Sequence, residues 1–193
     1  PDSVTSIGSS AFYGCSGLIS IKIPNSVTSI GDSAFENCIG LKNIYITDLA
    51  AWCKISGLDN LMYYGSNEKN LYLNGEPVTN LTIPDSVTSI GYQAFSDCRG
   101  LTSVTIPDGV TSIGSSAFSG CNGLKTVFYK GTTEQWKQIS IGGSNYLLTG
   151  ATRYYYSETE PSLNAEGTAY NGNYWHYDSD GKTPLIWKKE TIG

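Results

Sequence analysis

Apolar positions return at the same offsets along the chain. In GLTSVTIP (residues 100–107), Val104 and Ile106 alternate with Ser103 and Thr105, the two-residue period of a strand with one buried face. Pro107 stops the strand, because proline has no N–H to give to a ladder. Val87 and Ile90 frame a second short extended piece, VTSIG, closed by Gly91. In AFSDC, Ala94, Phe95 and Cys98 fall at i, i+1 and i+4, one face of a single helical turn. Gly100 follows as a left-handed cap. The pattern therefore predicts two short strands and one helical turn, with every apolar residue on one side.

The same phrase is written four times: PDSVTSIGSSAFYGC from Pro1, PNSVTSIGDSAFENC from Pro24, PDSVTSIGYQAFSDC from Pro84 and PDGVTSIGSSAFSGC from Pro107. Adjacent copies set a period of 23 residues. A lone coil of this kind cannot bury its apolar side, but stacked coils can, which is the logic of a solenoid.

Residues 47–83 interrupt the period. TDLAAWCKIS (47–56) and KGTTEQWKQIS (130–140) nevertheless match each other: Trp52 with Trp136, and Ile55 with Ile139. Asp48 and Thr132 are each suited to cap a helix start. Leu41 to Leu71 and Leu124 to Tyr154 are both steps of 30 residues. This predicts a second, longer unit, present twice, whose helix replaces the VTSIG strand and whose Trp fills the core. From Tyr154 the composition turns aromatic. NYWHYDSDGKTPLIW predicts a hairpin turning at Asp180-Gly181, placed to cover the last coil as a cap.

GLISIKIPNSVTSIGDSAFENC (17–38) and GLTSVTIPDGVTSIGSSAFSGC (100–121) carry a specific resemblance. They are similar to the BspA-like leucine-rich repeat family, the 23-residue type. The resemblance implies a right-handed leucine-rich-repeat solenoid, mainly β with short helices, ending in the C-terminal aromatic hairpin cap. The expected organisation is a solenoid over 1–153 and a β-rich cap over 154–193. Within the solenoid, regular coils span 1–46 and 84–129, and the Trp-containing units span 47–83 and 130–153. The family also implies a secreted or surface-attached bacterial protein that binds host or neighbouring-cell molecules.

Composition agrees with that setting. Charged residues are 15% of the chain, so Ser, Thr, Asn, Gly and Tyr must cover the surface, a balance more common outside cells than inside. A net charge of −5 argues against a nucleic-acid partner. No apolar run approaches the roughly 18 residues of a membrane span. Pro1 falls inside a repeat, so any signal or anchor is expected to lie outside this stretch.

Candidate chemistry is sparse. Cys15, Cys38, Cys98 and Cys121 share one repeat position and read as a buried thiol ladder, with Cys53 in the variant helix. Their spacing does not suggest a zinc site. His176 lacks a neighbouring nucleophile motif. Asp178 and Asp180 sit in a hairpin turn without the closing Glu of a calcium loop. No acid pair is fixed for glycosidase chemistry. The residues thus imply no enzyme, no cofactor and no metal.

What remains is a surface. Outward strand positions form a column, Lys22, Tyr45, Thr82, Thr105 and Phe128, beside a second one, Ser20, Asn43, Asn80, Ser103 and Thr126. In leucine-rich repeats this sheet is the concave face. Tyr45 and Phe128, as exposed aromatics in a polar field, are expected to anchor an extracellular protein or glycan. Trp175 and Tyr177 offer an alternative carbohydrate contact, because their hairpin is similar to those of cell-wall choline- and glucan-binding repeats. A structural spacer is the further alternative. Thr5, Thr28, Thr88 and Thr111 predict a structural ladder.

Overall fold

A computed structural model describes residues 2–64 and 68–189. The strands, in chain order, are β1 (Ser6–Ile7), β2 (Ser20–Lys22), β3 (Ser29–Ile30), β4 (Asn43–Ile46), β5 (Asn70–Leu73), β6 (Glu76–Pro77), β7 (Asn80–Thr82) and β8 (Ser89–Ile90). They continue with β9 (Ser103–Ile106), β10 (Ser112–Ile113), β11 (Thr126–Tyr129), β12 (Ser140–Ile141), β13 (Thr152–Tyr156), β14 (Tyr174–Tyr177) and β15 (Pro184–Ile186). The helices are α1 (Leu49–Trp52), α2 (Asp59–Met62), α3 (Thr133–Gln138) and α4 (Tyr146–Gly150).

The coils stack in parallel, as the repeat predicts. The longer strands build two main sheets, ordered β2-β4-β5-β6 and β7-β9-β11-β13-β14-β15. The VTSIG pieces build narrow sheets of their own, β1-β3 and β8-β10-β12. Thr28 and Thr111 donate backbone N–H and hydroxyl to Thr5 O and Thr88 O, so the threonine column is a ladder within each half.

The AFxxC segment differs from the expected helical turn. Ala94, Ser96 and Cys98 N–H close successive tight turns onto Gly91, Gln93 and Phe95 O, while Gln93, Phe95 and Asp97 N–H reach the next coil at Ser115, Ala117 and Ser119 O. Alternate amides thus serve the turn and the neighbour, so few backbone donors on this side lack a partner. The geometry needs a left-handed residue just before each cysteine. Gly14, Asn37, Asp97 and Gly120 hold it with φ of 71°, 61°, 58° and 71°, residue types that tolerate that region. Gly100 is therefore not the left-handed cap. The glycine at its repeat position is small for another reason: at Gly123 a Cβ would lie 2.6 Å from Arg99 O and 2.8 Å from Leu101 O.

The variant units also depart from expectation. The helix does not replace the VTSIG strand; it precedes it. β12 follows α3 and pairs with β10, and Ser56 bridges Ser29 in the same way. It is the AFxxC turn that gives way, to α4 in one unit and α2 in the other. Asn60 and Asn145 supply the acceptors lost there: Ser33 N–H donates to Asn60 Oδ1, and Phe118 N–H to Asn145 Oδ1. The 30-residue steps do not mark strand partners either. Ile44 pairs with Leu71 and Val127 with Arg153.

One continuous core runs from Ile23 to Leu148, with Phe35, Phe95 and Phe118 among its largest buried side chains. Trp52 and Trp136 fill it in the two long units. At the C-terminal end Arg153 lays its guanidinium 3.9 Å over the Trp136 ring, and Tyr155 meets Tyr129 edge-on. β14 and β15 pair antiparallel around Asp178–Thr183, the hairpin that the sequence predicts.

Candidate functional site

The outward face of the main sheets is made of alternate strand residues, as the period of two requires. In the first sheet Lys22 pairs with Tyr45 and Tyr45 with Tyr72. The Tyr45 and Tyr72 rings stack, with centroids 4.6 Å apart and planes 17° apart. Two residues earlier the Asn70 amide donates to Asn43 Oδ1 at 2.9 Å, and Ser20 continues that row. Lys42 and Glu68 form an ion pair of 2.9 Å, which draws the Glu68 carboxyl below its usual range.

In the second sheet the column is Thr82, Thr105, Phe128 and Tyr154. The expected single column is therefore two. Tyr72 follows Tyr45, β6 turns back against β5, and Thr82 opens a separate row. Tyr72 and Tyr154 were readable from a shared pattern: NIYI matches NLYL, and TVFY matches TRYYY. A step measured from the wrong leucine hides that match.

Exposure removes part of the expected site. Phe128 is 7% exposed and Thr105 4%. Trp175 lies over Phe128 with ring centroids 5.5 Å apart, and Tyr156 and Tyr177 meet Trp175 at 5.2 and 4.9 Å. The Trp175 indole donates to Tyr129 O at 3.0 Å. Trp175 itself is fully buried, so it is not a carbohydrate contact, and Tyr177 packs beside it rather than pairing with it as an open platform. A large aromatic with its one donor satisfied is a packing residue.

Lys130 secures this arrangement. Its Nζ is 2.6 Å from Asp85 Oδ1 and 5.5 Å from the Tyr177 ring centre. Burial pulls its pKa down, but the hydrogen bonds to Asp85 and Tyr177 together lift it above the ordinary lysine value.

The cysteines are all free thiols, and all but Cys15 are buried. Cys38 and Cys121 Sγ donate to Phe12 O and Phe95 O, each at 3.0 Å. Burial pushes Cys53 and Cys121 up to about 12. Lys69 is buried as well, its pKa lowered by desolvation and partly restored by Asp97 and Cys98. His176 lies tilted against Trp187, ring centroids 4.3 Å apart and planes at 41°, with Nδ1 2.8 Å from Tyr177 O. Asp180 accepts from Thr183 and Lys182, which brings it down to about 2. It caps its own hairpin turn.

The family profile of the BspA type leucine rich repeat region matches in 6 copies, over residues 1–60 and 66–146. The chain belongs to this family. No curated protein matches it. Among solved structures it is similar to a leucine rich cell surface protein from Faecalibacterium prausnitzii A2-165, at 34% identity and a TM-score of 0.40. That match covers 72% of this chain and 33% of the other. A leucine-rich repeat protein of T. pallidum matches at 26% identity and a TM-score of 0.35, covering 73% and 63%. One from Bacteroides ovatus matches at 22% and 0.36, covering 80% and 55%. BspA-like leucine-rich repeat proteins are bacterial surface proteins. No helix among the described residues is long and apolar enough to cross a membrane.

Proposed function

We propose that this leucine-rich repeat chain is a non-enzymatic recognition or adhesion module, secreted or held at a bacterial surface, that binds an extracellular macromolecule. The solenoid of residues 1–153 would present the binding face, and residues 154–193 would cap it. The observation that carries this reading is the difference between the two sheets. The first leaves a stacked, partly buried Tyr45/Tyr72 pair beside an amide row and the exposed Lys22. The second spends its equivalent surface on internal packing under Trp175. Rings with satisfied neighbours and an open edge are the anchors that recognition surfaces use. Thr82, Thr105 and Phe128 belong to the second sheet, where Thr82 is exposed and Thr105 and Phe128 are buried.

The test is adhesion to host matrix proteins and bacterial surface extracts. A Tyr45→Ser/Tyr72→Ser variant that keeps its thermal midpoint is expected to lose about tenfold in bound fraction, the scale of two ring contacts. Unchanged adhesion would instead make the solenoid a spacer.

A further inference from the structure

The chain is an internal duplicate. Pro1 and Pro84, Pro24 and Pro107, and Tyr45 and Phe128 are each 83 residues apart. Each half runs two regular coils, then a Trp-containing unit, then a strand whose aromatic joins the outward column: Tyr72 in β5, Tyr154 in β13. The two halves therefore display an aromatic pair at equivalent places on the scaffold, Tyr45/Tyr72 stacked with centroids 4.6 Å apart and Phe128/Tyr154 tilted with centroids 5.9 Å apart.

Only at Phe128 is a column ring covered; Tyr45, Tyr72 and Tyr154 are half-buried. Against Phe128 lies Trp175, carried on the extended strand β14, with Tyr177 two residues on and Asp178-Ser179-Asp180 after it. In the first half the strand that follows β5 is β6, Glu76–Pro77, which brings no ring. Tyr45 and Tyr72 keep the exposure that Phe128 loses. The molecule thus shows, once, what a ring at this column position packs against: an indole from an extended segment.

Charge narrows the class. In the second half the cation on this face, Lys130, is already engaged by Asp85 and the Tyr177 ring. In the first half Lys22 stands at the position of Thr105, next to Tyr45, exposed and in no ion pair among the described residues. An open cation beside an aromatic pair favours a ring with an acidic neighbour.

We infer that Tyr45, Tyr72 and Lys22 bind an extended peptide segment of a partner protein that presents a Trp or Tyr ring next to acidic residues. This deepens the proposed recognition role and rests on it for the choice of face. Glycan binding is a different ligand class and counts against it.

The probe is a fluorescein-labelled peptide with the sequence of residues 172–180, GNYWHYDSD, titrated into the full chain and followed by anisotropy. Saturable binding is expected, roughly tenfold weaker in Tyr45→Ser/Tyr72→Ser, where two ring contacts are lost. Lys22→Glu, a change at an exposed position, should weaken binding and flatten its salt dependence. Tyr45→Phe/Tyr72→Phe keeps the rings and should stay within about twofold. A peptide with Tyr174, Trp175 and Tyr177 all replaced by Ser should not bind, and Tyr146→Ser, elsewhere on the surface, should change nothing. Absence of saturable binding, binding indifferent to both Lys22→Glu and the tyrosine changes, or binding of a glycan at Tyr45 and Tyr72 in its place would overturn the inference. If adhesion needs Tyr45 and Tyr72 but the peptide does not bind, the recognition role stands and this ligand class fails. If the peptide binds but adhesion is unaffected, the site stands and the adhesion role fails.

Discussion

Cys121 shows how one residue type serves the stack. Its thiol is small enough for the gap between coils and donates to a carbonyl of the preceding coil. Burial raises Cys53 and Cys121 to about 12, so the folded chain holds these protons after an unfolded chain, near pH 8.5, has released them. The linkage sign follows. Their contribution is fully present below the unfolded value and is lost as pH climbs toward 12. Denaturant midpoints should be flat up to about pH 8 and fall progressively above about pH 9. Thiol titration at pH 8 should find Cys15 reactive in the folded protein and all 5 cysteines only after unfolding. A second fast thiol would contradict the burial of Cys38, Cys53, Cys98 and Cys121. That the cysteines are core residues was legible from one repeated position. Which of them lies open was not, because exposure depends on what is stacked on each coil.

The long units show how an element is inserted without breaking the stack. α3 begins with a reciprocal cap: Thr132 Oγ1 accepts from Gln135 N–H, and Gln135 Oε1 accepts from Thr132 N–H. Asp48 caps α1 with one bond, from Ala51 N–H. Both caps were readable, since capping is local chemistry. The role of Asn145 was not. It accepts from Phe118 N–H and donates to Gly114 and Gly142 O, contacts that span 31 residues of sequence at the farthest. Thr132→Ala should cost about 1 kcal/mol, the usual loss of a cap. Asn145→Ala should cost more, about 3 kcal/mol, because it strands buried groups on both sides. Thermal or denaturant unfolding gives both values, and equal costs would mean that the amide bridge carries no special weight. The column error belongs to this scale too. The long units set their own register, so matching Leu41 to Leu71 left Tyr72 out of the column.

At the scale of the molecule, the stack has a seam. Among the described residues no strand pairing joins β6 to β7 or Ser56 to β8. The halves meet through the shared core, the Trp52 indole donating to Ala94 O at 3.1 Å, and Lys69 N–H donating to Asp97 O. Trp52→Phe keeps most of the ring but leaves a buried carbonyl unpaired, a cost of about 1–3 kcal/mol. It should split one unfolding transition into two, and β7 amides should exchange before those of β9, which is paired on both sides. A single sharp transition with uniform exchange would show the seam to be as strong as the coils. The sequence by itself determined the period, the two strands of the regular coil, most of its buried positions, the caps of α1 and α3 and the family, because each follows from local pattern repeated on a stack. Only the tertiary structure decided which outward residues stay open. Phe128 and Tyr45 occupy the same place in their repeats, and the distant strand that carries Trp175 closes over one and not the other.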